Sequence, residues 1–411
     1  MSTVEDFQPQ NWQASSTEAL KISLIPAAEG AGALQFSPTF TYPIFGDEEQ
    51  IYGFRDLVIH LVFDSVTFKP FLNVKYSATA GDDVDAQRDV IDKITPFLPE
   101  GDFIQRDEAA WVDAFMKERE TFDINALGAE RVDEYKGAAD GTTYGVYRAP
   151  LGQLAAADAA AQATNPGAQS PLVRFWKRIQ ILTLLFIEAA TYISLEDEPE
   201  WELYLTFNEA DRTLVGLCTA YKYWDYRDAG AFDSSEAPAY RKKISQFLVL
   251  PPYQGQGHGS ALYNAIYRGW FRDSAVTELT VEEPNEAFDD MRDRNDLEML
   301  ERAGFFAEVP AEPAHSGDRL LVSDEWAEQM RHKYKLEQRQ FSRLLEMALL
   351  HLGREPYFAV QVKRRICIKN RDALAELADA EQRAKAVRDS FELVKSDYLR
   401  ILAGCSFAVG K

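Results

Sequence analysis

The spacing of apolar residues along the chain predicts a β-rich beginning, a mixed middle and a helical end. Short apolar runs of strand length dominate the first 140 residues, and one stretch with helical spacing lies among them. The predicted elements are strands at 19–25, 57–63 and 70–76 and a helix at 84–97 that Pro99 ends. From residue 324 onward, apolar residues recur three or four positions apart, which predicts helices throughout.

The middle of the chain alternates strands with helices. Residues 164–170 are rich in turn-forming types, and they predict a linker after an alanine-rich helix. The predicted order is a helix at 151–163, the linker, a helix at 171–181, strands at 184–192, 201–207 and 213–224, a loop at 225–240, a strand at 247–250, a helix after Ser260, a strand at 277–281 and a helix at 286–302. Antiparallel strands followed by a strand, a helix and a parallel strand predict an α+β fold.

Residues 247–260 combine a strand, a glycine-rich turn and the start of a helix. Two prolines end the strand, because proline fixes φ and has no N–H to donate to a neighbouring strand. Glycines then stand at alternate positions, Gly255, Gly257 and Gly259, and helical apolar spacing begins after Ser260. Glycines let backbone N–H groups approach a phosphate closely, and a helix N-terminus adds about half a positive charge. The segment therefore predicts an anion-binding turn.

Two common phosphate-binding motifs do not fit this turn. A P-loop ends in Gly-Lys-Ser/Thr, and there is no lysine between Ser245 and Ser274. A dinucleotide-binding fingerprint has its third glycine three residues after the second, whereas Gly259 follows Gly257 by two. The pattern Gln-x-x-Gly-x-Gly, directly after a strand that ends in two prolines, resembles instead the coenzyme A loop of the Gcn5-related N-acetyltransferase superfamily.

Three further blocks resemble a narrower family, the catalytic subunits of type B histone acetyltransferases. The blocks are Phe45-Gly-Asp-Glu-Glu-Gln-Ile-Tyr-Gly-Phe54, Leu184-Leu-Phe-Ile-Glu-Ala-Ala-Thr-Tyr192 and Leu279-Thr-Val-Glu-Glu-Pro-Asn-Glu-Ala-Phe-Asp-Asp-Met-Arg-Asp-Arg-Asn-Asp296. The resemblance implies three domains: an N-terminal mixed β/α domain at 1–150, an acetyl-CoA-binding N-acetyltransferase core with splayed parallel strands at 165–312, and a C-terminal helical domain at 320–411.

The resemblance also implies acetyl-CoA as the co-substrate. The pantetheine arm is expected along the backbone of the strand at 247–250 and the pyrophosphate in the glycine turn. The implied cofactor-binding residues are Phe247, Leu248, Val249, Gln254, Gly255, Gln256, Gly257, His258, Gly259, Ser260, Asn285 and Arg294. Two of them have an alternative interpretation, since His258 could pack against the turn and Arg294 could form a surface ion pair with Asp290 or Asp293.

Acetyl transfer to lysine requires a group that removes the proton of the amine, because a free lysine with a pKa near 10.4 is charged at neutral pH. Glu282 and Glu283 follow the strand at 277–281, where the thioester is expected, and Glu188 is a lone acid in an apolar run. The resemblance marks these three acids as a catalytic set with Glu282 as the general base. Acids at the end of a strand can equally face solvent, and Glu188 remains the alternative base.

Two segments that combine acids with aromatic residues match the histone-tail groove of the family. Carboxylates can meet the ammonium groups of a lysine-rich peptide, and aromatic faces can wall its aliphatic stems. The implied substrate-binding residues are Asp47, Glu48, Glu49, Tyr221, Lys222 and Tyr223. The implied substrate is the tail of newly made histone H-four, and the implied partner is a WD40-propeller histone chaperone that contacts the loop at 225–240. The alternatives are an acetyltransferase for another amine and an acyl-CoA-binding scaffold without activity.

Composition and charge narrow the range of functions. With 44 Lys and Arg against 66 Asp and Glu, the net charge of −22 would repel nucleic acid and attract a cationic polypeptide. Cys218, Cys367 and Cys405 are too scattered for a disulfide framework or a zinc site, so no metal is expected, and Cys218 is interpreted as a buried thiol. The longest apolar stretch, 179–193, is too short to span a membrane. We expect a protein of the cytoplasm and nucleus.

Overall fold

The structure is a computed structural model of the 411-residue chain. It describes residues 12–28, 30–80, 86–165, 168–194, 200–226, 229–230, 239–313, 315 and 319–407. The chain divides into two compact units: unit 1 is Met1–Lys222 with Ile244–Ala265, and unit 2 is Tyr223–Lys243 with Ile266–Lys411. Within the described ranges, no helix has both the length and the apolar character needed to cross a membrane.

Unit 1 begins with a five-stranded sheet and two short strand pairs. The strands are β1 Gln13–Ser15, β2 Leu20–Ile25, β3 Leu34–Phe36, β4 Gln50–Tyr52, β5 Phe54–Arg55, β6 Val58–Asp64, β7 Pro70–Lys75, β8 Ala78–Thr79 and β9 Ile104–Gln105. The sheet has the order β3-β2-β6-β7-β9, with β2–β6 and β7–β9 parallel, while β1 pairs with β4 and β5 with β8. The predicted strands at 19–25, 57–63 and 70–76 are confirmed as β2, β6 and β7.

Four helices accompany these strands in the described part of the segment. They are α1 Ser16–Ala19, α2 Tyr42–Phe45, α3 Ala86–Ile94 and α4 Glu108–Thr121. α3 confirms the predicted helix at 84–97, apart from residues 84 and 85, which lie outside the described residues. α4 was not predicted from the sequence. Asp107 caps it by accepting the Ala110 N–H (2.9 Å), and it buries Trp111 and Phe115.

Three helices lie between the strand that ends at Pro150 and the strand that begins at Trp201, both of which belong to the second sheet. They are α5 Leu151–Thr164, α6 Pro171–Ile179 and α7 Ile181–Phe186. The predicted strand at 184–192 is wrong, because α7 occupies its first three residues and residues 187–189 form a bend and a turn. Residues 181–185 are all buried. A short run that is apolar at every position does not distinguish a helix from a strand.

The second sheet carries the segments predicted to bind the coenzyme. Its strands are β10 Glu130–Lys136, β11 Thr143–Pro150, β12 Trp201–Asn208, β13 Leu214–Trp224, β14 Tyr240–Val249 and β15 Val276–Val281. In unit 1, antiparallel strands β10, β11, β12 and β13 follow one another and residues 244–249 of β14 come next. In unit 2, residues 240–243 of β14 neighbour β15. The predicted strands at 201–207, 213–224 and 277–281 are confirmed, and the one at 247–250 is the end of β14.

The remaining helices confirm the predicted helical end of the chain. They are α8 His258–Arg272, which passes from unit 1 into unit 2, and α9 Glu286–Arg302, α10 Phe305–Glu308, α11 Asp324–Lys333, α12 Gln338–His351, α13 Glu355–Lys369, α14 Arg371–Ala375 and α15 Ala380–Ala403 in unit 2. The bounds of α9 coincide with the predicted helix. The α+β class is confirmed, whereas the predicted division at 1–150, 165–312 and 320–411 stays a prediction. Two strands of the second sheet, β10 and β11, lie within residues 1–150.

Candidate active site

The predicted anion-binding turn follows β14 directly. The short 3-10 helix Pro251–Tyr253 separates the strand from the turn. Gln254 donates its side-chain N–H to the Val249 carbonyl (2.9 Å), and Gln256 donates to the Pro252 carbonyl (3.1 Å). Both side chains therefore fold back on the end of the strand and hold the shape of the turn.

Two glycines set the backbone of the turn. Gly255 has a φ of 73° and Gly257 a φ of 89°, in the left-handed region that favours glycine. A Cβ at either position would have no neighbour within 4 Å, so backbone conformation rather than space requires glycine here. α8 begins next, and Ala261 donates its N–H to the Gly257 carbonyl (3.0 Å). The first N–H groups of a helix have no partner within it, so this end of α8 can bind an anion.

A β-bulge and a third glycine bring β13 close to the end of β14. The register of β12 and β13 shifts at Val215, which leaves this residue as the extra one. Its carbonyl accepts the Leu250 N–H (2.9 Å), and a Cβ at Gly216 would lie 2.9 Å from the Leu248 carbonyl oxygen. This close approach fixes the point from which the turn starts.

His258 is packed into unit 1 at the first position of α8. It is 3% exposed, its Nδ1 lies 2.8 Å from the Tyr135 hydroxyl, and its ring centroid lies 4.6 Å from that of Tyr144. Burial lowers the pKa of His258 below its usual value, so the neutral imidazole is favoured. Within the described residues, Nε2 is buried without a hydrogen-bond partner. The packing interpretation is confirmed, and a contact with a cofactor stays a prediction.

Glu188 lies where the sequence did not place it. It is exposed in the turn after α7 and is not a lone acid within a strand. The next residue, Ala189, has a φ of 57°, which is a strained conformation for a residue with a Cβ. Strain of this kind is often found at functional sites.

Glu282 and Glu283 belong to unit 2 and follow β15 directly. Both side chains are exposed. Glu283 has a φ of 36°, which is uncommon for a residue with a Cβ. It also precedes Pro284, and proline disfavours the helical region and favours an extended conformation at the residue before it. The predicted position of both acids at the end of β15 is confirmed.

Asn285 lies directly before α9 in unit 2, and Arg294 lies on this helix. The Asn285 side chain accepts the Phe288 N–H (2.9 Å) and caps α9, which is a structural use of this residue. Arg294 is half-buried, and a Cβ at Gly404 would lie 3.0 Å from its Cδ. Their contact with a coenzyme stays a prediction.

The two acids considered as ion-pair partners for Arg294 form ion pairs with other arginines. Asp290 binds Arg400, and Asp293 binds Arg343 at 2.6 Å. A hydrogen bond from Arg400 is the main cause that lowers the pKa of Asp290, and the positive charge of Arg294 adds to it. Both acids therefore pair with arginines other than Arg294.

The acidic segment at 47–49 is only partly available to a substrate. Asp47 and Glu48 are exposed, and Glu48 accepts the hydroxyl of Tyr52 (3.1 Å). Glu49 instead accepts the hydroxyl of Thr41 (2.9 Å), and it also accepts the backbone N–H groups at the start of α2. A carboxylate with three donors inside the chain holds α2 in place, so a substrate role for Glu49 is not supported by its contacts.

The aromatic segment at the end of β13 is half-buried. The ring of Tyr221 lies 4.7 Å from that of Trp201, and Lys222 forms a 2.7 Å ion pair with Glu200 in unit 1. In unit 2, the Lys243 ammonium lies 5.6 Å from the ring of Tyr223. This Lys–Tyr contact shows that the ring can receive an ammonium group.

The described residues offer neither a reactive cysteine at Cys218 nor a cluster of metal ligands. Cys218 is fully buried, and burial raises the pKa of its thiol, so it is an inert structural cysteine as expected. Among the described residues, no group of three or more His, Cys, Asp or Glu could hold a metal ion.

Unit 1 therefore contains the strand end, the glycine turn, the Glu188 turn and the acidic segment at 47–49. Unit 2 holds Glu282, Glu283, Asn285 and Arg294. Three residues of unit 1 that contact these segments were not identified from the sequence: Tyr42, Tyr135 and Gln246. No local sequence pattern indicates these three residues, because their contacts join segments that are distant in the chain.

Comparisons with known proteins cover most of the chain. Three families match: "Histone acetyl transferase HAT1 N-terminus" at residues 12–188, "Acetyltransferase (GNAT) family" at 175–291 and "Fungal HAT1, C-terminal" at 293–353. The chain is 47% identical over 409 residues to a "Histone acetyltransferase type B catalytic subunit" of Candida glabrata, covering 99% of this chain and 96% of the relative. It is 42% identical over 402 residues to the protein of the same name in Kluyveromyces lactis, covering 97% and 94%.

Proposed function

Because this chain belongs to the family of histone acetyltransferase type B catalytic subunits, we propose that it transfers acetyl groups from acetyl-CoA to lysines in the tail of newly made histone H-four. The observation that carries the proposal is the succession of strand, turn and helix in β14 and α8. Two left-handed glycines precede a helix N-terminus, which is the geometry that a pyrophosphate requires. Relatives of that name, which are 47% and 42% identical over nearly the full length of this chain, support the reaction.

Acetyl-CoA fits the turn for two reasons. The Cβ positions of Gly255 and Gly257 face open space, so a phosphate can approach the backbone. The backbone of Phe247, Leu248 and Val249 lies just before the turn, where the pantetheine arm is proposed to bind. Because backbone groups do most of this binding, exchange of exposed side chains such as Gln254 should affect affinity less than exchange of a glycine.

The proposed reaction is a direct attack by the substrate amine. The lysine nitrogen attacks the thioester carbonyl carbon, a new C–N bond forms and the C–S bond breaks. The leaving thiolate takes up the second proton of the attacking nitrogen and becomes the thiol of coenzyme A. Glu282 accepts the proton that the amine must lose. Glu282 lies exposed at the end of β15. Glu188 and Glu283 are the two further acids that are proposed to take part in the reaction.

The proposed substrate surface uses Asp47, Glu48, Tyr221 and Tyr223. The first two are exposed carboxylates, and aromatic rings can wall the stem of a lysine. The proposed WD40-propeller partner would bind the loop at 225–240, of which residues 227–228 and 231–238 lie outside the described residues. The exposed aromatic rings of Trp224 and Tyr226 at the start of this loop support a protein contact there. The proposal also places the protein in both the cytoplasm and the nucleus.

Exchange of Gly257 for valine should abolish tight acetyl-CoA binding. A left-handed conformation costs a residue with a Cβ roughly 1–2 kcal/mol, so the binding-competent turn becomes a minor state. We expect the Kd from calorimetry to rise about tenfold or more. Gly269→Val is the matched control, because Gly269 is an exposed glycine of α8 with open space around it and no positive φ. Equal affinity of wild type and Gly257→Val would remove the turn from the cofactor site.

Salt should weaken the reaction with the histone tail. The net charge of −22 attracts a basic peptide, and added salt screens that attraction. We expect kcat/KM for the peptide to fall as ionic strength rises, while the Kd for acetyl-CoA does not rise in parallel. Asp47→Asn with Glu48→Gln should reduce this salt dependence. A kcat/KM that does not change with salt would contradict an acidic substrate groove.

A further inference from the structure

The turn that carries Glu188 is fixed at its beginning by the segment at 39–42. Both Thr39 and Phe40 donate their N–H groups to the Leu185 carbonyl at the end of α7 (2.9 and 3.1 Å). The hydroxyl of Tyr42 accepts the N–H of Ala189 (2.6 Å). Since the last carbonyls of a helix have no partner within it, this segment acts as the cap of α7.

Tyr42 contacts the strained residue of the turn. Ala189 has a φ of 57°, and a left-handed residue with a Cβ persists only when its surroundings hold it there. The Ala189 N–H is a donor that the Tyr42 hydroxyl satisfies. Tyr42 in turn is held at its own N–H by the Glu49 carboxylate (3.0 Å), and its ring lies 5.9 Å from that of Phe40.

Gln246 fixes the other end of the turn. Its side-chain N–H donates to the Thr191 carbonyl (2.7 Å), and its backbone N–H donates to the Thr219 hydroxyl (3.2 Å). Gln246 is 5% exposed and directly precedes Phe247, the first residue of the proposed pantetheine strand. The same strand therefore presents backbone to the coenzyme and holds the Glu188 turn. Both connections lie within unit 1.

We propose that Tyr42 is a positioning residue that acts through Glu188, and that Gln246 holds the far end of the same turn. Together they fix the Glu188 carboxylate relative to the backbone of β14. The inference rests on the proposed function, because it assumes that Glu188 takes part in acetyl transfer. Glu49 acts in this arrangement by holding Tyr42 and not by contacting the histone tail.

A double-mutant cycle tests the role of Tyr42. We expect Tyr42→Phe to lower kcat for the histone-tail peptide about tenfold, because misplacing a catalytic group by an ångström has effects of this size or larger. KM for acetyl-CoA should stay close to that of the wild type. In a Glu188→Gln background, Tyr42→Phe should have little further effect, since the group it positions is already gone. The pH profile of kcat should change in the same way in both single variants.

Tyr192→Phe is the matched control. The Tyr192 hydroxyl donates to the Phe97 carbonyl (2.6 Å), so its loss removes a similar hydrogen bond without touching residues 187–189. We expect this variant to keep its kcat and its pH profile. Amide exchange gives a readout that does not depend on activity: the Ala189 amide should exchange faster in Tyr42→Phe than in Tyr192→Phe.

The outcomes separate this inference from the proposed function. Equal losses of kcat from Tyr42→Phe in the wild-type and Glu188→Gln backgrounds would overturn it, as would a Glu188→Gln enzyme with full kcat. Unchanged exchange at Ala189 in Tyr42→Phe would overturn it as well. If the wild type does not acetylate the histone tail at all, the proposed function fails instead, whatever the exchange data show for the turn.

Discussion

Glu282→Gln is expected to lower kcat for histone-tail acetylation by about 10²–10⁴-fold, the usual contribution of a positioned general base. Glutamine has the shape of glutamate but cannot accept the proton of the lysine amine. The Kd for acetyl-CoA should stay close to the wild-type value, because the coenzyme is proposed to bind backbone groups of β14 and its turn. Steady-state kinetics with a histone H-four tail peptide, together with calorimetry for acetyl-CoA, measure both quantities.

High pH should partly rescue this variant. As the pH approaches the lysine pKa near 10.4, more of the substrate amine is neutral before it binds, and the need for a base declines. Glu283→Gln is the matched control, since Glu283 is the adjacent exposed acid after β15. We expect a smaller loss of kcat from this control. Full kcat of Glu282→Gln at neutral pH would exclude Glu282 as the base, and Glu188 would become the leading candidate.

Arg178→Met is expected to lower the free energy of unfolding by about 3–5 kcal/mol, because it removes the charge-assisted hydrogen bonds of a buried guanidinium to two partly buried acids and a carbonyl. Arg178 lies on α6 and is 1% exposed. Its guanidinium donates to Asp102 (2.6 Å), to Glu118 (2.7 Å) and to the Thr67 carbonyl (2.7 Å). Methionine fills much of the same space but satisfies none of these three acceptors.

The effect of Arg178→Met should depend on pH. Burial alone would raise the pKa of Asp102, but hydrogen bonds from Arg178 and Lys69 hold it below its usual value. An acid with a lowered pKa in the folded state adds stability above its unfolded pKa, near 3.9, and loses it as the pH falls further. The difference in stability between wild type and Arg178→Met should therefore shrink in acid.

Urea denaturation at neutral and acid pH measures this prediction. Arg174→Ala is the matched control: Arg174 lies on the same helix and pairs with Glu118 (2.9 Å), but its side chain is 46% exposed. Such a partly exposed pair contributes about 0–1 kcal/mol. Equal destabilisation by Arg174→Ala and Arg178→Met would show that burial of the Arg178 guanidinium is not what makes it important.

Regular patterns made part of the fold predictable from the sequence. The strands β2, β6 and β7 bury alternate residues or are buried on both faces, and α9 has helical spacing and an asparagine cap. The wrong strand at 184–192 shows the limit of predicting secondary structure from apolar spacing, because a run that is apolar at nearly every position has neither the helical nor the strand period. α4 was missed since its two buried residues, Trp111 and Phe115, are few among charged and alanine positions.

The candidate site was predictable where it depends on residue type and unpredictable where it depends on contacts. Glycines in a turn after a proline-ended strand predict an anion-binding turn, and Gly255 and Gly257 have the left-handed conformations that favour glycine. The sequence could not show that the Glu49 carboxylate caps α2. It could not show either that Tyr42 holds the turn of Glu188, because both contacts join segments that are distant in the chain.

Acetyl transfer from acetyl-CoA to a histone H-four tail peptide tests the central claim most directly. We expect mass spectrometry of the purified protein's reaction to show acetyl groups on lysine side chains of the peptide, with one free coenzyme A released for each. Gly257→Val and Glu282→Gln should both lose most of this activity, the first through acetyl-CoA affinity and the second through kcat. A wild-type protein that binds acetyl-CoA but leaves the peptide unmodified would contradict the account.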